Sequence, residues 1–288
     1  MKRILVQTTI PGAEDDWHVG RFSLLTNHLA SLKDDQDNAL YEVVGRNRET
    51  NSAGNDEVLS NLDTSTFDEL WLFAVDAGDG LSVSDCEGIT RFRQRGGGIM
   101  ATRDHEDLGS SLCTIGGVGR AHYFHTKQPE PDELRHERDD QDNKDISWPN
   151  YHSGANGDAQ RIDVELPVHP AMRDPESETG TVMYLPAHPH EGAVAAPASE
   201  PSARVIATGR SVATGNRFNI AVAFERSAAG GPAIAESTFH HFADYNWDIT
   251  TGAPAFVSEP AGTQITTNPA PLAAFKDYVR NIATWLQK

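Results

Sequence analysis

Gly96-Gly97-Gly98-Ile99-Met100-Ala101-Thr102-Arg103-Asp104-His105-Glu106-Asp107 is the stretch whose reading decides the fold of this chain. Three glycines end whatever helix precedes them, because glycine favours a left-handed cap over another helical turn. Ile99–Thr102 is then a short apolar run suited to a buried strand. Ionisable residues follow at once, where the strand must end. Upstream, Ser84 with Glu87 three residues later predicts a capping box, with Cys86, Ile89 and Phe92 as the buried stripe of the helix. Before it, Leu70-Trp71-Leu72-Phe73-Ala74-Val75 is a continuous apolar strand. Earlier still, Ile4-Leu5-Val6 and Tyr41-Glu42-Val43-Val44 flank a helix marked by Phe22, Leu25, Leu29 and Leu32. This β-α-β-α order predicts an α/β fold with a doubly wound, mainly parallel sheet and helices on both faces. Sites on such sheets lie at the carboxyl ends of the strands.

Downstream, Lys127–Asn150 is dominated by Asp, Glu, Arg and Gln, and a polar insertion over 127–160 is expected, with a polar helix around Asp132–Arg138. Ala193–Ser202, rich in Ala and Pro, is expected to be a surface excursion. Arg204–Ala207 and Phe218–Phe224 read as a hairpin through Thr214-Gly215-Asn216, followed by a strand from Ala233 to about Phe239. Asn268 as N-cap and Pro269 in the first turn open a closing helix, with Leu272, Phe275, Val279, Ile282 and Leu286 on one face. No linker interrupts the pattern, so residues 1–288 are expected to form one domain with insertions.

The chain of 288 residues carries 24 Lys and Arg against 42 Asp and Glu, a formal charge of −18. That field repels phosphate backbones and anionic lipid, which argues against nucleic-acid and membrane partners. The excess of Asp also suits a salt-adapted host. The N-terminal apolar run is too short for a signal peptide, and no stretch approaches the ~20 apolar residues of a membrane span. The cytoplasm is therefore the expected location. Cys86 and Cys113 suggest neither a disulfide framework nor a CxxC metal site.

Three places could carry chemistry. Arg103, Asp104, His105 and Glu106 stand at a strand-to-helix turn, where side chains and helix N–H groups would share one crevice. His240 and His241 follow the last long strand; adjacent residues on extended chain point to opposite sides, so one of the two would face the crevice. Histidine is the natural general base near neutral pH and the commonest metal ligand. Asp244 and Asn246, just beyond, are candidates to contact substrate. His188-Pro189-His190-Glu191 forms the third place, a loop whose His-x-His could supply two nitrogens to a first-row metal. Tyr151 and His152, in Trp148-Pro149-Asn150-Tyr151-His152, could join such a pocket, as could His122 or His125, whereas His169-Pro170 reads as a turn. Gly116-Gly117-Val118-Gly119 lacks the Lys-Ser/Thr of a phosphate loop.

With these residues in place, the chain resembles the class I glutamine amidotransferase-like superfamily, a flavodoxin-like fold, and within it the ThuA-like (trehalose utilisation) branch. The helix-Gly-Gly-Gly-Ile-Met-Ala-Thr approach to the elbow and the Phe239-His240 pair carry the resemblance. The amidotransferases place a nucleophilic cysteine at that elbow; here Arg103, Asp104 and His105 stand there, and His241-Phe242 replaces the family's Pro-Glu. Cys113 lies about ten residues too late, in what should be the following helix. Cysteine-dependent glutamine hydrolysis is therefore not expected. His105 suits the ThuA-like branch, and the resemblance implies a link to sugar metabolism. The combined expectation is a hydrolase or isomerase acting on a small polar, carbohydrate-like substrate. His105, Asp104, Glu106 and His240 or His241 would perform acid–base chemistry, with Arg103 binding the substrate. A divalent metal (zinc, iron or manganese) held by some of His105, His188, His190 and His240 is a variant. The competing expectation is a non-catalytic binding module on the same scaffold. A homodimer is the expected assembly.

Overall fold

Alternation along the strands divides the core into two faces of one sheet. The computed structural model describes residues 1–136, 139–140 and 143–287. In β1 (Lys2–Thr8), Ile4 and Val6 point to one side and Leu5 to the other. In β3 (Glu69–Phe73), Trp71 and Phe73 share the first side and Leu70 and Leu72 the second, and β4 (Gly98–Thr102) divides Met100 from Ile99 and Ala101 in the same way. Helices α1 (Ser23–Ser31) and α3 (Ala270–Leu286) cover the first face through Leu25, Leu29, Phe275, Tyr278, Val279 and Ile282. Helix α2 (Val83–Gln94) covers the second through Ile89 and Phe92.

Beside these strands lie β2 (Tyr41–Arg46), β5 (Asp163–Val164), β6 (Ala203–Arg210), β7 (Arg217–Phe224) and β8 (Ala233–Glu236). The eight-stranded sheet has the order β2-β1-β3-β4-β8-β7-β6-β5. Strands β2, β1, β3, β4 and β8 are parallel, and β7, β6 and β5 extend the sheet antiparallel, with β6 and β7 as the expected hairpin. The α/β, doubly wound, mainly parallel architecture is thus as the sequence predicts.

Several local expectations need correction. The capping box of α2 is Ser82 with Asp85, not Ser84 with Glu87. Asp85 also accepts from Asp56 N at 2.7 Å and pairs with Arg48 at 2.8 Å, and these tertiary bonds fix the helix start two residues early. Among the described residues no α-helix directly follows β4. The Asp76 carboxylate accepts from Ser111 N, Ser111 Oγ and Thr9 Oγ1, gathering the segment into turns before a 3-10 stretch at Ile115–Ala121. Cys113 lies in those turns and forms a disulfide with Cys86 of α2, where the sequence suggested no pairing. Such bonds persist mainly in oxidising compartments, a consideration that runs against the cytoplasmic expectation. Strand β8 stops at Glu236 rather than near Phe239, because Ser237–Phe239 turns across the sheet end, where Phe239 N donates to Arg103 O at 2.9 Å. Helix α3 starts at Ala270, with Asn268 Oδ1 accepting from Ala270 N at 3.2 Å. The predicted polar helix contains only a 3-10 turn, Glu133–Arg135; Glu137 and Arg138 lie outside the described residues. Within the Ala193–Ser202 excursion, Ala193–Val194 pairs with His122–Tyr123. Among the described residues no helix is long and apolar enough to cross a membrane.

Candidate metal centre at the strand ends

Strands β4 and β8 are parallel neighbours with Thr102 opposite Glu236, so their carboxyl ends deliver Asp104 and Thr238 to the same place. Thr238 Oγ1 donates to Asp104 Oδ1 at 2.8 Å and accepts from His240 N at 3.0 Å. One hydroxyl therefore sets both the carboxylate and the turn that carries His240. The third approach is the loop after Tyr184–Pro186. It can pass close only because residue 192 is glycine: a Cβ there would lie 2.4 Å from Asp104 O and 2.8 Å from Ser237 O.

Asp104, His188 and His240 converge, all buried, with one ligand-type atom from each within 4.8 Å of the others. His188 Nε2 lies 3.2 Å from Asp104 Oδ1, and His240 Nε2 lies 3.8 Å from Asp104 Oδ2. The two imidazoles stack at 3.6 Å between centroids and 11° between planes. Trp17 meets the His240 ring edge-on at 4.6 Å. His105 and His190 are neighbours of the group rather than members. His105 Nδ1 bonds Asp104 Oδ2 at 2.9 Å, while His190 spans Asp140 (2.7 Å) and Glu259 (3.1 Å).

The environment of His188 fixes its tautomer. Asn246 Nδ2 donates to Asn156 Oδ1 at 3.0 Å and to Ala187 O at 2.9 Å, which orients Asn156 so that its oxygen faces His188 Nδ1 at 2.9 Å. An amide oxygen can only accept, so Nδ1 carries the proton and Nε2 of the neutral ring presents a lone pair. That lone pair faces Asp104 Oδ1. Ser153 Oγ, bonded to both His188 N and His188 O, holds the backbone in place. Burial lowers the His188 pKa to about 4 despite the pull of Asp104, and burial with the neighbouring His188 holds His240 well below its ordinary value. Burial alone would raise the Asp104 carboxyl, but His188, His105 and His240 hold it well below the carboxylate range. Two neutral imidazoles and one carboxylate, with one ligand-type atom of each within 4.8 Å of the others and His188 held by Asn156, offer donors of the kind a divalent cation takes.

The group opens on a pocket of about 340 Å³ whose walls include Trp17, Leu108, Phe256 and Glu259 beside His105, His188, His190 and His240. Other residues singled out in the sequence lie elsewhere. Arg103 is fully buried, with its guanidinium 4.4 Å from the Phe124 ring centre and bonded to Glu106 O; burial lowers its pKa to about 9. Glu106 accepts from Ser147 N and Oγ and so ties the polar insertion to the elbow. Tyr151 stacks on Phe218 at 4.9 Å, and His152 Nδ1 accepts from Gly154 N. Asp244 caps α1 by accepting from Ser23 N and Leu24 N. Asn246 orients Asn156, and His241 points away from the pocket. Asn156, Trp17, Asp140 and Glu259 come from irregular segments with no motif to mark them.

Comparison with solved structures places this geometry on a known scaffold. A ThuA-like protein from Parabacteroides merdae superposes with a TM-score of 0.54 at 13% identity, over 100% of this chain and 90% of its own. A cytoplasmic protein from Salmonella typhimurium gives 0.53 at 11% identity, over 100% of both chains. No family profile matches the sequence, and no curated protein matches it. At these identities the likeness is one of fold. The chain shares its fold with a ThuA-like protein and carries a buried Asp-His-His cluster at its strand ends.

Proposed function

We propose that this chain is a metal-dependent enzyme of the amidotransferase-like scaffold, acting on a small polar molecule by hydrolysis or isomerisation. Asp104, His188 and His240 hold one divalent ion, with zinc, iron and manganese all compatible with two imidazoles and a carboxylate. A bound divalent ion supplies Lewis acidity and an activated water at this place. His105, fixed through Nδ1 to Asp104 and lining the pocket, exchanges protons with the substrate. The ThuA-like fold favours a carbohydrate derivative as substrate by analogy only. One observation carries the reading: His188, whose Nδ1 is turned to the Asn156 amide oxygen at 2.9 Å, presents Nε2 to the Asp104 carboxylate at 3.2 Å. Two acceptors in buried contact repel one another, and a cation resolves the contact.

The test is elemental analysis of tag-free protein purified without chelator, beside Asp104→Asn and His188→Ala. Near-stoichiometric zinc, iron or manganese in the wild type, lost in both variants, is the expected result. A protein that takes up none of these metals after their addition refutes the centre. His105→Ala should keep its metal and lose roughly 10²–10⁴-fold in turnover on any substrate found.

A further inference from the structure

The walls of the pocket differ in kind. Part of the lining is the Asp104, His188, His240 group with His105 and His190; the rest is Trp17, Leu108, Ile146, Phe256 and Val257 with the uncharged polar Asn143, Asn156 and Ser258 and the acidic Glu259. Phe256 is 60% exposed, an apolar ring left uncovered at the mouth. The ionised group on that side is Glu259, 3.1 Å from His190. Among the described residues no Lys or Arg lines the pocket. The one cation at this strand end, Arg103, is turned under the sheet edge onto Phe124.

Resting on the metal-centre reading above, we infer that the substrate is an uncharged, part-apolar small molecule, not a phosphorylated or carboxylated one. Its polar end meets Asp104, His188, His240 and the ion they hold, while its apolar end lies against Phe256 and Trp17. Proteins that select phosphate or carboxylate groups surround them with Arg, Lys or helix N-terminal N–H groups. Here an anionic substituent extending toward the mouth would meet Glu259 and apolar side chains. A pocket of about 340 Å³ is at the small end of ligand sites, which suits a small-molecule occupant.

Hydroxamic acids chelate all three candidate metals and provide probes of graded charge. Metal content is counted first. Calorimetry on the metal-loaded protein then compares acetohydroxamic, benzohydroxamic and para-carboxybenzohydroxamic acids. Benzohydroxamic acid should bind roughly tenfold or more tighter than acetohydroxamic acid, because the ring buries apolar surface. It should exceed the para-carboxy compound by a similar factor, and Phe256→Ala should remove most of the advantage of the ring. In Glu259→Gln the penalty on the para-carboxy compound should shrink. A metal-bearing protein that binds the para-carboxy compound as tightly as benzohydroxamic acid overturns this inference and leaves the metal centre standing. Protein that takes up no metal and binds no hydroxamate overturns both.

Discussion

On one side of the turn His240–Phe242, His240 joins His188 around a single carboxylate at the floor of a pocket; on the other, His241 lies sealed between two carboxylates. His241 Nε2 is 3.4 Å from Glu191 and Nδ1 is 3.3 Å from Glu236, all three side chains being fully buried. Every carboxylate oxygen there has a further partner or the imidazole: Ser237 Oγ and Gln160 Nε2 donate to Glu191, and Tyr278 OH donates to Glu236. The two clusters share residue types and interleave in sequence, with His188 and Glu191 on one loop and His240 and His241 on one turn falling to opposite sides. Their stoichiometry is opposite. In the sealed cluster the two carboxylates raise the imidazole pKa to about 10, which favours a cation already within the protein. The pocket cluster has neutral imidazoles around one carboxylate, the imbalance on which the proposed cation site rests. Counting protons and lone pairs, rather than noting that histidines cluster, separates a structural network from a binding site.

The largest expected effect comes from opening the sealed side. His241→Ala leaves Glu191 and Glu236 buried without their cation and should cost about 3–5 kcal/mol of unfolding free energy in urea titration. His188→Ala in metal-free protein should cost roughly half of that or less, since it removes an imidazole whose lone pair faces a carboxylate. Equal losses would break the comparison. Next in size is the response to metal. At a hundredfold excess over its dissociation constant, the ion should stabilise the wild type by about 2.7 kcal/mol, and Asp104→Asn by much less. A wild type whose unfolding midpoint does not move with zinc, iron or manganese would remove the distinction between the clusters.

How much of this could be read beforehand follows from the same contrast. The strand order and the elbow were legible because apolar runs and the glycines at 96–98 act locally. Asp104, His188 and His240 were each visible as candidates on strand ends or loops. Their grouping was not, because it depends on Thr238, Gly192 and the β4–β8 register rather than on spacing. Spacing alone therefore also put His105 and His190 among the metal ligands, where the structure bonds His105 through Nδ1 to Asp104 and sets His190 between Asp140 and Glu259. Arg103 read as a substrate contact because its neighbours are functional types, yet alternation at the strand end turns it under the sheet. Asn156 and Asn246, which decide the tautomer of His188, carry no sequence signal as a pair, being 90 residues apart. The start of α2 was misplaced for a similar reason, since Arg48 and Asp56 select Asp85 from a distance.

That distant pair sharpens the comparison at the next level of size. Asn156→Ala frees the His188 ring to take either tautomer and should weaken metal binding 10–100-fold, as loss of second-layer partners commonly does. Tyr278→Phe removes the corresponding outer bond of the sealed cluster and should leave metal affinity unchanged while lowering stability. Chelator-buffered metal titration of the two variants reads both. If they lose affinity equally, the clusters are one coupled network and the division drawn between them fails.

Counted per pH unit, the smallest step is in the pH dependence, where the clusters should act in opposite directions. Burial opposes charge on His241, but Glu191 and Glu236 prevail and raise its pKa from 6.5 to about 10. A pKa raised in the folded state means that the stabilisation is fully present below 6.5 and is lost as pH rises through 10. His188, lowered to about 4, behaves conversely: its protonation favours the unfolded chain, so stability is complete above 6.5 and falls as pH drops toward 4. Each proton changes the unfolding free energy by at most about 1.4 kcal/mol per pH unit within its window. Urea titrations of metal-free protein on either side of neutrality should therefore show His241→Gln flattening the alkaline limb alone and His188→Gln the acid limb alone. An alkaline limb that persists in His241→Gln would mean that the imidazole between Glu191 and Glu236 is neutral. The sealed cluster would then have no cation of its own, and the asymmetry that marks Asp104, His188 and His240 as the metal site would lose its physical basis.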